Sequence, residues 1–360
     1  MSSDDVSEKS IHVDGKKLQE LESLRETIAN WQSQRQRRQF IRRLWPLIEN
    51  WNSGLPDLRN VFRREEVDLL LQDAVYCMGG KQRYRPGAGF IEFVARAGYK
   101  DEPELDKDSG EPVRNRTTAI HRASLRRLPN KIVVLRELFK IYDSYDHTDK
   151  YGLTHFHAAC RHGLVDVVEK FLERGRNADY LGPGTRDSPL HLALRHDHRD
   201  MVAMLLRWRV NPNVVGNCRA TPLHVVAKSC FDAADFAREF FEIYDGTEQK
   251  LLVDIRDEFG RTPLHLALQR KNRRMAKLLL RRGADPSLAS KAGTTPLHIV
   301  CVNSYDDDGF RDEFFEIVER GQPRRTHRSA RVMRRESRRG GTAGSIVRAQ
   351  PLRGADRRQG

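Results

Sequence analysis

The apolar residues in the middle of the chain occur in pairs of short clusters, and residues 257–286 show the pattern clearly. They open with the turn sequence D-E-F-G, after which Thr262 can cap a helix and Pro263 fits its first turn. Apolar residues within 264–268 give that helix one packed side, and those within 275–279 have the three- to four-residue spacing of a second helix. The pattern predicts a helical hairpin, and copies are expected to stack because one hairpin cannot bury its own apolar face.

A four-residue block that ends in histidine shows that the hairpin is repeated. The blocks are TAIH (118–121), THFH (154–157), SPLH (188–191), TPLH (221–224), TPLH (262–265) and TPLH (295–298). Successive block histidines are 36, 34, 33, 41 and 33 residues apart. Six copies near one period predict an all-α repeat array over residues 116–321.

The motifs inside these units resemble those of ankyrin repeats. G-R-T-P-L-H-L-A (260–267), D-S-P-L-H-L-A-L (187–194) and R-R-G-A-D-P (281–286) carry the resemblance, which covers about residues 116–321 in six units, the first of them degenerate. The resemblance implies a solenoid of helix-turn-helix units with β-turn fingers that project to one side. It also implies a protein that binds other proteins on the concave face formed by the fingers and the first helices.

Three residues depart from the ankyrin pattern. Arg186 and Arg219 stand where the family has the turn glycine, so these two fingers are expected to be less regular. His155 replaces the proline of the second unit, which is expected to weaken the start of that helix.

The first, fourth and sixth units share a longer second helix rich in phenylalanine. R-E-L-F-K-I-Y-D (136–143) and R-E-F-F-E-I-Y-D (238–245) agree at six of eight positions, and E-F-F-E-I recurs at 313–317. Phe139, Phe241 and Phe315 are expected to pack in the core. The long connection at 246–250 is a further candidate for partner contact.

The region in front of the repeats is predicted to be a small helical cap over 16–99, after a disordered stretch at 1–15. Residues 16–51 have the spacing of one or two amphipathic helices, and 64–77 and 89–98 that of two more. This helical region would cover the first repeat, because terminal repeats of such arrays need a capping partner.

The basic and apolar stretch 34–45, QRQRRQFIRRLW, permits several interpretations. Its arginines at 35–43 could contact nucleic acid, and the whole stretch could form a calmodulin-like target helix or contact an anionic membrane. Alternatively, its apolar face docks on neighbouring helices while the arginines remain in solvent. We favour docking, because a lone basic helix is a weak motif.

Charge is distributed unevenly along the chain, so the net charge of the whole chain does not describe its separate segments. The 360 residues have a net charge of +14 and a mean hydropathy of -0.68. Residues 31–64 contribute +6, an acidic linker is predicted at 100–115, and the repeats over 116–321 carry only +5. The last segment, 322–360, carries +10 with few aliphatic residues and is predicted to be a disordered Arg-rich tail. A nucleic-acid partner is therefore expected only through this tail or the basic segment 35–43.

Matching residues to the repeat pattern predicts which side chains contact a protein partner on the concave face, with Tyr151 and Phe259 as aromatic anchors. The full set is Lys150, Tyr151, Leu153, Arg161, His162, Arg195, His196, Glu258, Phe259, Arg261, Gln269 and Arg270. Phosphate or nuclear-import contacts are predicted for the paired arginines of the tail. These are Arg324, Arg325, Arg334, Arg335, Arg338 and Arg339.

The histidines and cysteines do not form a recognisable catalytic or metal-binding constellation. Six histidines occupy the same place in every unit, which indicates a structural role in bonding the backbone of neighbouring turns: His121, His157, His191, His224, His265 and His298. The pairs His155/His157 and His196/His198 have metal-like spacing but lack a partner ligand at a recognisable distance. Cys160, Cys218, Cys230 and Cys301 lie in or beside repeat helices and are expected to be buried. No nucleotide-binding or hydrolase motif is present, so we expect no enzyme activity, no cofactor and no metal.

The sequence therefore predicts a non-enzymatic interaction scaffold or adaptor that acts as a monomer. Alternatives are a nucleic-acid-associated or nuclear regulatory protein that uses the basic tail, and an ankyrin inhibitor of a transcription factor. No apolar run is long enough to span a bilayer, and no secretory signal is visible, so an intracellular location in cytoplasm or nucleus is expected.

Overall fold

The computed structural model describes most of the repeat array and of the region before it, and the described part is all-α, as predicted. The described ranges are 3–78, 86–102, 115–143, 146–181, 186–228, 233–246, 250–302 and 309–321, with side chains from Gly15 onward except at 233–236 and at Gly321. These ranges contain α-helices and isolated bridges but no strand. The chain divides into two bodies, residues 1–177 with 181–185 and residues 178–180 with 186–360.

Five α-helices precede the repeats. They are α1 (Ser3–Glu26), α2 (Gln34–Ile48), α3 (Leu58–Val61), α4 (Arg64–Ala74) and α5 (Pro86–Arg96), and a 3-10 turn over Val75–Met78 follows α4. Helix α1 begins at Ser3, although the sequence predicts disorder over 1–15; no proline interrupts this stretch. Helix α2 continues through Pro46 and ends two residues later.

Each of the six predicted repeats is one pair of helices. The pairs are α6 (Ala119–Leu125) with α7 (Lys131–Ile141), α8 (His155–Arg161) with α9 (Val165–Glu173), α10 (Pro189–Arg195) with α11 (Arg199–Arg207), α12 (Pro222–Lys228) with α13 (Ala233–Asp245), α14 (Pro263–Gln269) with α15 (Arg273–Arg281), and α16 (Pro296–Val302) with α17 (Phe310–Gly321). The second helices of the first, fourth and sixth repeats have 11, 13 and 12 residues, against nine in the other three. The predicted lengthening is confirmed.

The phenylalanines of the longer second helices pack in the core. Phe139, Phe241 and Phe315 are all buried, with 6%, 1% and 0% of their surface exposed. Phe139 packs edge-on against Phe171 of the next repeat, with ring centroids 6.3 Å apart. The prediction that these side chains belong to the core is therefore confirmed. The connection proposed as a partner contact, 246–250, lies mostly outside the described residues.

The helical region before the repeats docks on the first repeat. Within this body α5 packs against α7, and α4 packs against α6. The apolar side of α2 is buried at Phe40, Ile41, Leu44 and Ile48. Docking, the favoured interpretation of 34–45, is confirmed. A calmodulin-like or membrane-inserted use of this apolar face would require it to be exposed, which it is not.

One arginine of α2 is buried, contrary to the expectation that all of them are solvated. The Arg37 guanidinium is 4% exposed and donates to the buried Asp73 carboxylate at 2.6 Å and to the carbonyl of Trp31. Arg38 also pairs with Asp73, at 3.2 Å. Arg37 is thus a structural residue and cannot serve as a phosphate contact, because its charge is satisfied inside the cap.

A buried polar cluster joins the cap to the first repeat, where the sequence suggests only an acidic linker. Asp101 is 3% exposed and accepts hydrogen bonds from Arg116 at 2.5 Å and from His147 Nε2 at 3.1 Å. Burial raises the pKa of Asp101, but the bonds from His147 and Arg116 outweigh it, and the pKa lies below its usual value. The Tyr142 hydroxyl donates to Asp68 of α4 at 2.7 Å. The start of the predicted linker is therefore part of the folded cap.

Candidate functional site

The finger of the second repeat is a tight hairpin organised by a buried aspartate. Asp149 Oδ1 accepts hydrogen bonds from the backbone N–H groups of Tyr151 and Leu153, both at 2.9 Å. The Asp149 N–H donates to the Leu153 carbonyl at 2.9 Å and closes the hairpin. Gly152 lies at φ 77°, in the left-handed region that glycine adopts at little cost. These bonds fix Lys150 and Tyr151 at the tip of the finger.

The finger of the fifth repeat has the same geometry. Asp257 Oδ1 accepts bonds from the backbone N–H groups of Phe259 at 2.9 Å and Arg261 at 2.8 Å. Gly260 lies at φ 72°, and a Cβ there would meet the backbone nitrogen of Lys291 in the next finger at 2.8 Å. Only glycine therefore satisfies both the turn and the close approach of the neighbouring finger.

Each of these two fingers presents an exposed aromatic ring beside a cation. Tyr151 is 61% exposed, and Lys150 Nζ lies 4.9 Å from its ring centroid. Phe259 is 51% exposed, and the Arg261 guanidinium lies 4.6 Å from its centroid. Arg261 also pairs with Asp257 at 2.7 Å, which holds the guanidinium over the ring. Exposed aromatic rings with attached cations are typical binding anchors, because aromatic and arginine side chains dominate interface energetics.

The remaining predicted contact residues lie at the fingers or at the carboxyl ends of first helices, with different exposure. Lys150, Arg195, His196, Gln269 and Arg270 are exposed, while Glu258, Arg161 and His162 are half-buried. The His162 ring contacts the first repeat, since its Nε2 atom lies 2.9 Å from Ser124 Oγ. His162 therefore takes part in the packing of the repeats. Arg195, Gln269 and Arg270 are the predicted contact residues that are exposed at the helix ends.

Leu153 does not belong to the exposed set, which corrects the prediction for this residue. Its side chain is only 8% exposed. The finger bonds to Asp149 turn the chain inward at this point, and the Leu153 carbonyl accepts a bond from His121 Nε2 at 2.9 Å. Leu153 therefore supports the finger from below and does not contact solvent.

The fourth repeat has the irregular finger that its missing glycine predicts. Cys218 and Arg219 adopt φ values of 56° and 54°, in the left-handed region that is unfavourable for residues with a side chain. Cys218 is exposed at this tip, so the expectation that it is buried is wrong; Cys160 is buried and Cys301 is half-buried. Cys230 and residues 182–185, which directly precede Arg186, lie outside the described ranges.

Four of the six repeat histidines hold a first helix to the following finger. In four repeats the ring Nε2 atom bonds a carbonyl of that finger at 2.9–3.0 Å: His121 to Leu153, His191 to Ala220, His224 to Arg261 and His265 to Thr294. In each of these rings Nδ1 faces the backbone N–H of the helix-capping Thr or Ser, at 3.1–3.3 Å. Nδ1 therefore accepts and Nε2 donates, which requires the neutral ring with its proton on Nε2.

Burial favours the same neutral form. It is the largest cause that lowers the pKa of His121 and of His191, each to about 4, although the carbonyl bonds favour the charged form. Burial likewise lowers the pKa of His224, His265 and His298.

The histidine pairs His155/His157 and His196/His198, whose spacing resembles that of metal ligands, lie in different surroundings. His155 is fully buried, and its Nε2 atom lies 2.7 Å from Thr118 Oγ1, while Thr154 caps the helix that His155 begins. The start of α8 is therefore intact without the proline. His196 and His198 stack with centroids 6.1 Å apart. No group of three or more His, Cys, Asp or Glu side chains suited to a metal occurs among the described residues.

A shallow groove of about 280 Å³ lies between α7 and α9. Its rim carries Arg174 and Asp143, which pair at 3.0 Å, and Lys140 and Glu137, which pair at 2.7 Å. These side chains neutralise one another, so the groove has no set of converging free charges for a ligand.

Replacing Asp257 by alanine is expected to loosen the fifth finger. The substitution leaves the N–H groups of Phe259 and Arg261 without their acceptor and should lower the free energy of unfolding by about 2 kcal/mol. Asp257→Asn is the matched control, since it keeps an Oδ1 acceptor. Urea unfolding followed by circular dichroism measures both, and equal stability of the alanine and asparagine variants would contradict the assigned role of the carboxylate.

The repeated finger, histidine bridge and helix pair agree with a known family. The family model for ankyrin repeats matches residues 120–216 and 243–308 in three copies. This match identifies the repeats of this chain as ankyrin repeats. Ankyrin repeats form a protein–protein interaction domain that is not itself catalytic.

The chain is similar to part of several proteins that carry different names. Human ankyrin repeat and SOCS box protein 3 is 28% identical over 170 residues, which is 47% of this chain and 32% of that protein. Neurogenic locus notch homolog protein 1 of Danio rerio is 33% identical over 143 residues, or 39% of this chain and 6% of that protein. Palmitoyltransferase ZDHHC17 of Danio rerio is 31% identical over 80 residues, or 22% of this chain and 13% of that protein. The chain thus spans less than a third of the length of each of these relatives.

The predicted phosphate contacts of the tail, Arg324 to Arg339, lie outside the described residues. Among the helices described, none is both long enough and apolar enough to cross a membrane.

Proposed function

We propose that this protein is a non-enzymatic scaffold or adaptor that captures a protein partner through its ankyrin fingers. The observation that carries the proposal is the pair of exposed rings, Tyr151 and Phe259, each on a finger fixed by a buried aspartate. A rigid support matters because a side chain that is already ordered loses little entropy on binding.

The chemistry of the fingers favours a partner surface that combines an apolar contact with carboxylates. The ring of Tyr151 stands beside Lys150, and that of Phe259 beside Arg261. Arg270, exposed at the end of α14, adds a further positive charge in the fifth repeat. Such sites gain from burying the rings and from pairing the cations with acidic side chains at the rim.

Affinity capture with mass spectrometry tests the proposal. The triple variant Tyr151→Ala, Phe259→Ala, Arg270→Ala is expected to lose at least tenfold of the partner captured by the wild-type chain, since each change removes an interface anchor. Trp208→Ala with Tyr180→Ala is the matched control, because these rings are 43% and 41% exposed but do not lie at a finger tip. Circular dichroism should be unchanged in both variants.

Truncation after residue 321 separates partners of the repeats from ligands of the basic tail. Partners that depend on Tyr151 and Phe259 should be retained by the truncated chain. If the triple variant captures the same proteins in the same amounts as the control, the fingers are not the binding site.

A further inference from the structure

The turn between the two helices of the first repeat is strongly basic. Residues 116–136 contain six arginine or lysine residues and no aspartate or glutamate. Three of these cations, Arg126, Arg127 and Lys131, lie in or directly after the turn between α6 and α7. Among the described residues, no carboxylate forms an ion pair with any of these three side chains.

The same turn exposes aliphatic side chains. Leu125, the last residue of α6, is 55% exposed, and Ile132 and Val133 in the first turn of α7 are 42% and 59% exposed. The corresponding turns of the third and fifth repeats, at 195–198 and 269–272, carry only polar or charged residues. In contrast to these two turns, the turn of the first repeat combines basic residues with exposed apolar ones.

The cap extends this basic surface. The guanidinium of Arg126 lies 4.2 Å from the centroid of the Tyr76 ring, and that of Arg38 in α2 lies 4.6 Å from the same centroid. Arg122 reaches the Tyr76 hydroxyl at 3.0 Å. Three arginines from two distant parts of the sequence thus gather around one tyrosine, and Arg42 of α2 is exposed nearby in the same helix.

Further arginines lie near this turn and near the adjoining part of the cap. Burial, and next the positive charge of Arg161 in the second repeat, lower the pKa of Lys131. Positive charges of Arg42 and Arg38 oppose the rise in the pKa of Cys77 that burial causes. Arg161 of the second repeat and Arg42 of the cap thus add positive charge near the hairpin, whereas Arg38 is paired with Asp73.

We propose that the α6–α7 hairpin, defined by Leu125, Arg126, Arg127, Lys131, Ile132 and Val133, is a contact surface for membranes that contain anionic lipids. Basic side chains are attracted to the negative headgroups, and exposed aliphatic side chains beside them enter the boundary between headgroups and acyl chains. A nucleic acid would need only the cations, since its phosphates offer no apolar phase for Leu125 and Val133.

Cosedimentation of the full chain with vesicles tests this surface. The vesicles are pure phosphatidylcholine, or phosphatidylcholine with about 30 mol% phosphatidylserine, a typical anionic content for such assays. The wild-type chain is expected to bind the anionic vesicles much more tightly than the neutral ones. Arg126→Gln with Arg127→Gln and Lys131→Gln should weaken this binding about tenfold or more, because each cation contributes separately to the attraction.

The matched control removes the same charge elsewhere. Arg207→Gln with Arg238→Gln and Arg281→Gln alters three exposed arginines outside the hairpin and outside the fingers and should change vesicle binding by about twofold or less. Because the arginines of the tail are present in every variant, a difference in vesicle binding between the two triple variants measures the contribution of the hairpin. Equal binding of both variants would overturn the proposal and assign the affinity to the tail.

A third variant distinguishes a membrane from another polyanion. Leu125→Gln with Val133→Gln keeps all charges and changes two exposed side chains, so folding is expected to be retained and is checked by circular dichroism. It should weaken binding to anionic vesicles about fivefold, since aliphatic insertion is lost. If this variant binds the vesicles as the wild type does, while a DNA duplex distinguishes the two charge variants, the surface is a nucleic-acid contact and the membrane proposal is wrong.

Discussion

Gly87→Ala is expected to unfold the helical cap in front of the repeats. Gly87 lies in the first turn of α5, and a Cβ at this position would stand 2.0 Å from the carbonyl oxygen of Ala74 and 2.9 Å from its carbon. The clash is with backbone, which cannot rotate away as a side chain does. We expect the free energy of unfolding to fall by about 3 kcal/mol or more, the upper range for an overpacked core position.

Tryptophan fluorescence during urea unfolding measures this effect, because Trp31, Trp45 and Trp51 lie in the cap and only Trp208 lies elsewhere. Gly15→Ala is the matched control. A Cβ at Gly15 meets nothing within 4 Å, and alanine is the better helix former by about 1 kcal/mol. The control should be unchanged or slightly more stable. Wild-type stability of Gly87→Ala would show that α4 and α5 are not packed as closely as the structure has them.

Lowering the pH from 7.5 to 5 is expected to destabilise the repeats by several kcal/mol. His121 and His191 each have a pKa of about 4 in the folded chain, below the ordinary value of 6.5. The unfolded chain therefore binds more protons between these values, and stability falls as the pH falls through 6.5. At pH 5 each of these two rings costs about 2 kcal/mol. His224, His265 and His298, whose pKa values are also lowered, add to the loss.

Three buried carboxyl groups oppose this loss of stability at low pH. Burial raises the pKa of Asp146, Asp179 and Asp254, so the folded chain binds more protons than the unfolded chain at mildly acidic pH. Their effect reduces the loss at the acidic end of the range. The histidine contribution is isolated by beginning the measurement at pH 7.5 and following the first decrease in stability.

Urea midpoints at several pH values between 7.5 and 5 test the prediction. His191→Gln removes one titrating ring and should be less stable at pH 7.5, with a flatter dependence on pH than the wild type. A wild-type midpoint that stays constant across the range would contradict the neutral, Nε2-protonated state assigned to the repeat histidines.

The two proposed contact surfaces have different physical characters. The fingers present single aromatic rings on rigid turns, with cations already engaged by the ring or by Asp257. The α6–α7 hairpin presents cations without carboxylate partners among the described residues, next to exposed aliphatic side chains. A rigid ring beside a cation suits contact with a protein surface, whereas the basic and aliphatic hairpin suits a broad anionic boundary.

Much of the repeat architecture could be predicted because its determinants are local. The Thr or Ser cap, the proline and the repeat histidine lie within four residues of one another, and the length of the second helix follows from its own apolar spacing. The position of the fingers, and of the rings Tyr151 and Phe259, follows from the same local units. Arg219 likewise signals an irregular finger, since the residue that must turn the chain carries a side chain.

Four of the wrong expectations concern burial, which is not a local property. Leu153 is buried because the finger turns it inward, Arg37 because it pairs with Asp73, and Asp101 because Arg116 and His147 surround it. Cys218 is exposed for the converse reason, as it lies at the tip of a finger instead of inside a helix pair.

The sequence by itself therefore determined the ankyrin resemblance, the number of repeats and the places where the first helices of the repeats begin, since caps, turns and periodicity act between neighbouring residues. Only the tertiary structure decided which charged side chains are paired inside the cap and which remain available to a partner. Arg37 and Arg126 are equally basic in the sequence, yet one is paired in the core and the other faces solvent beside Tyr76. That difference arises because the availability of a charge depends on contacts between residues far apart in the chain, which local pattern does not encode.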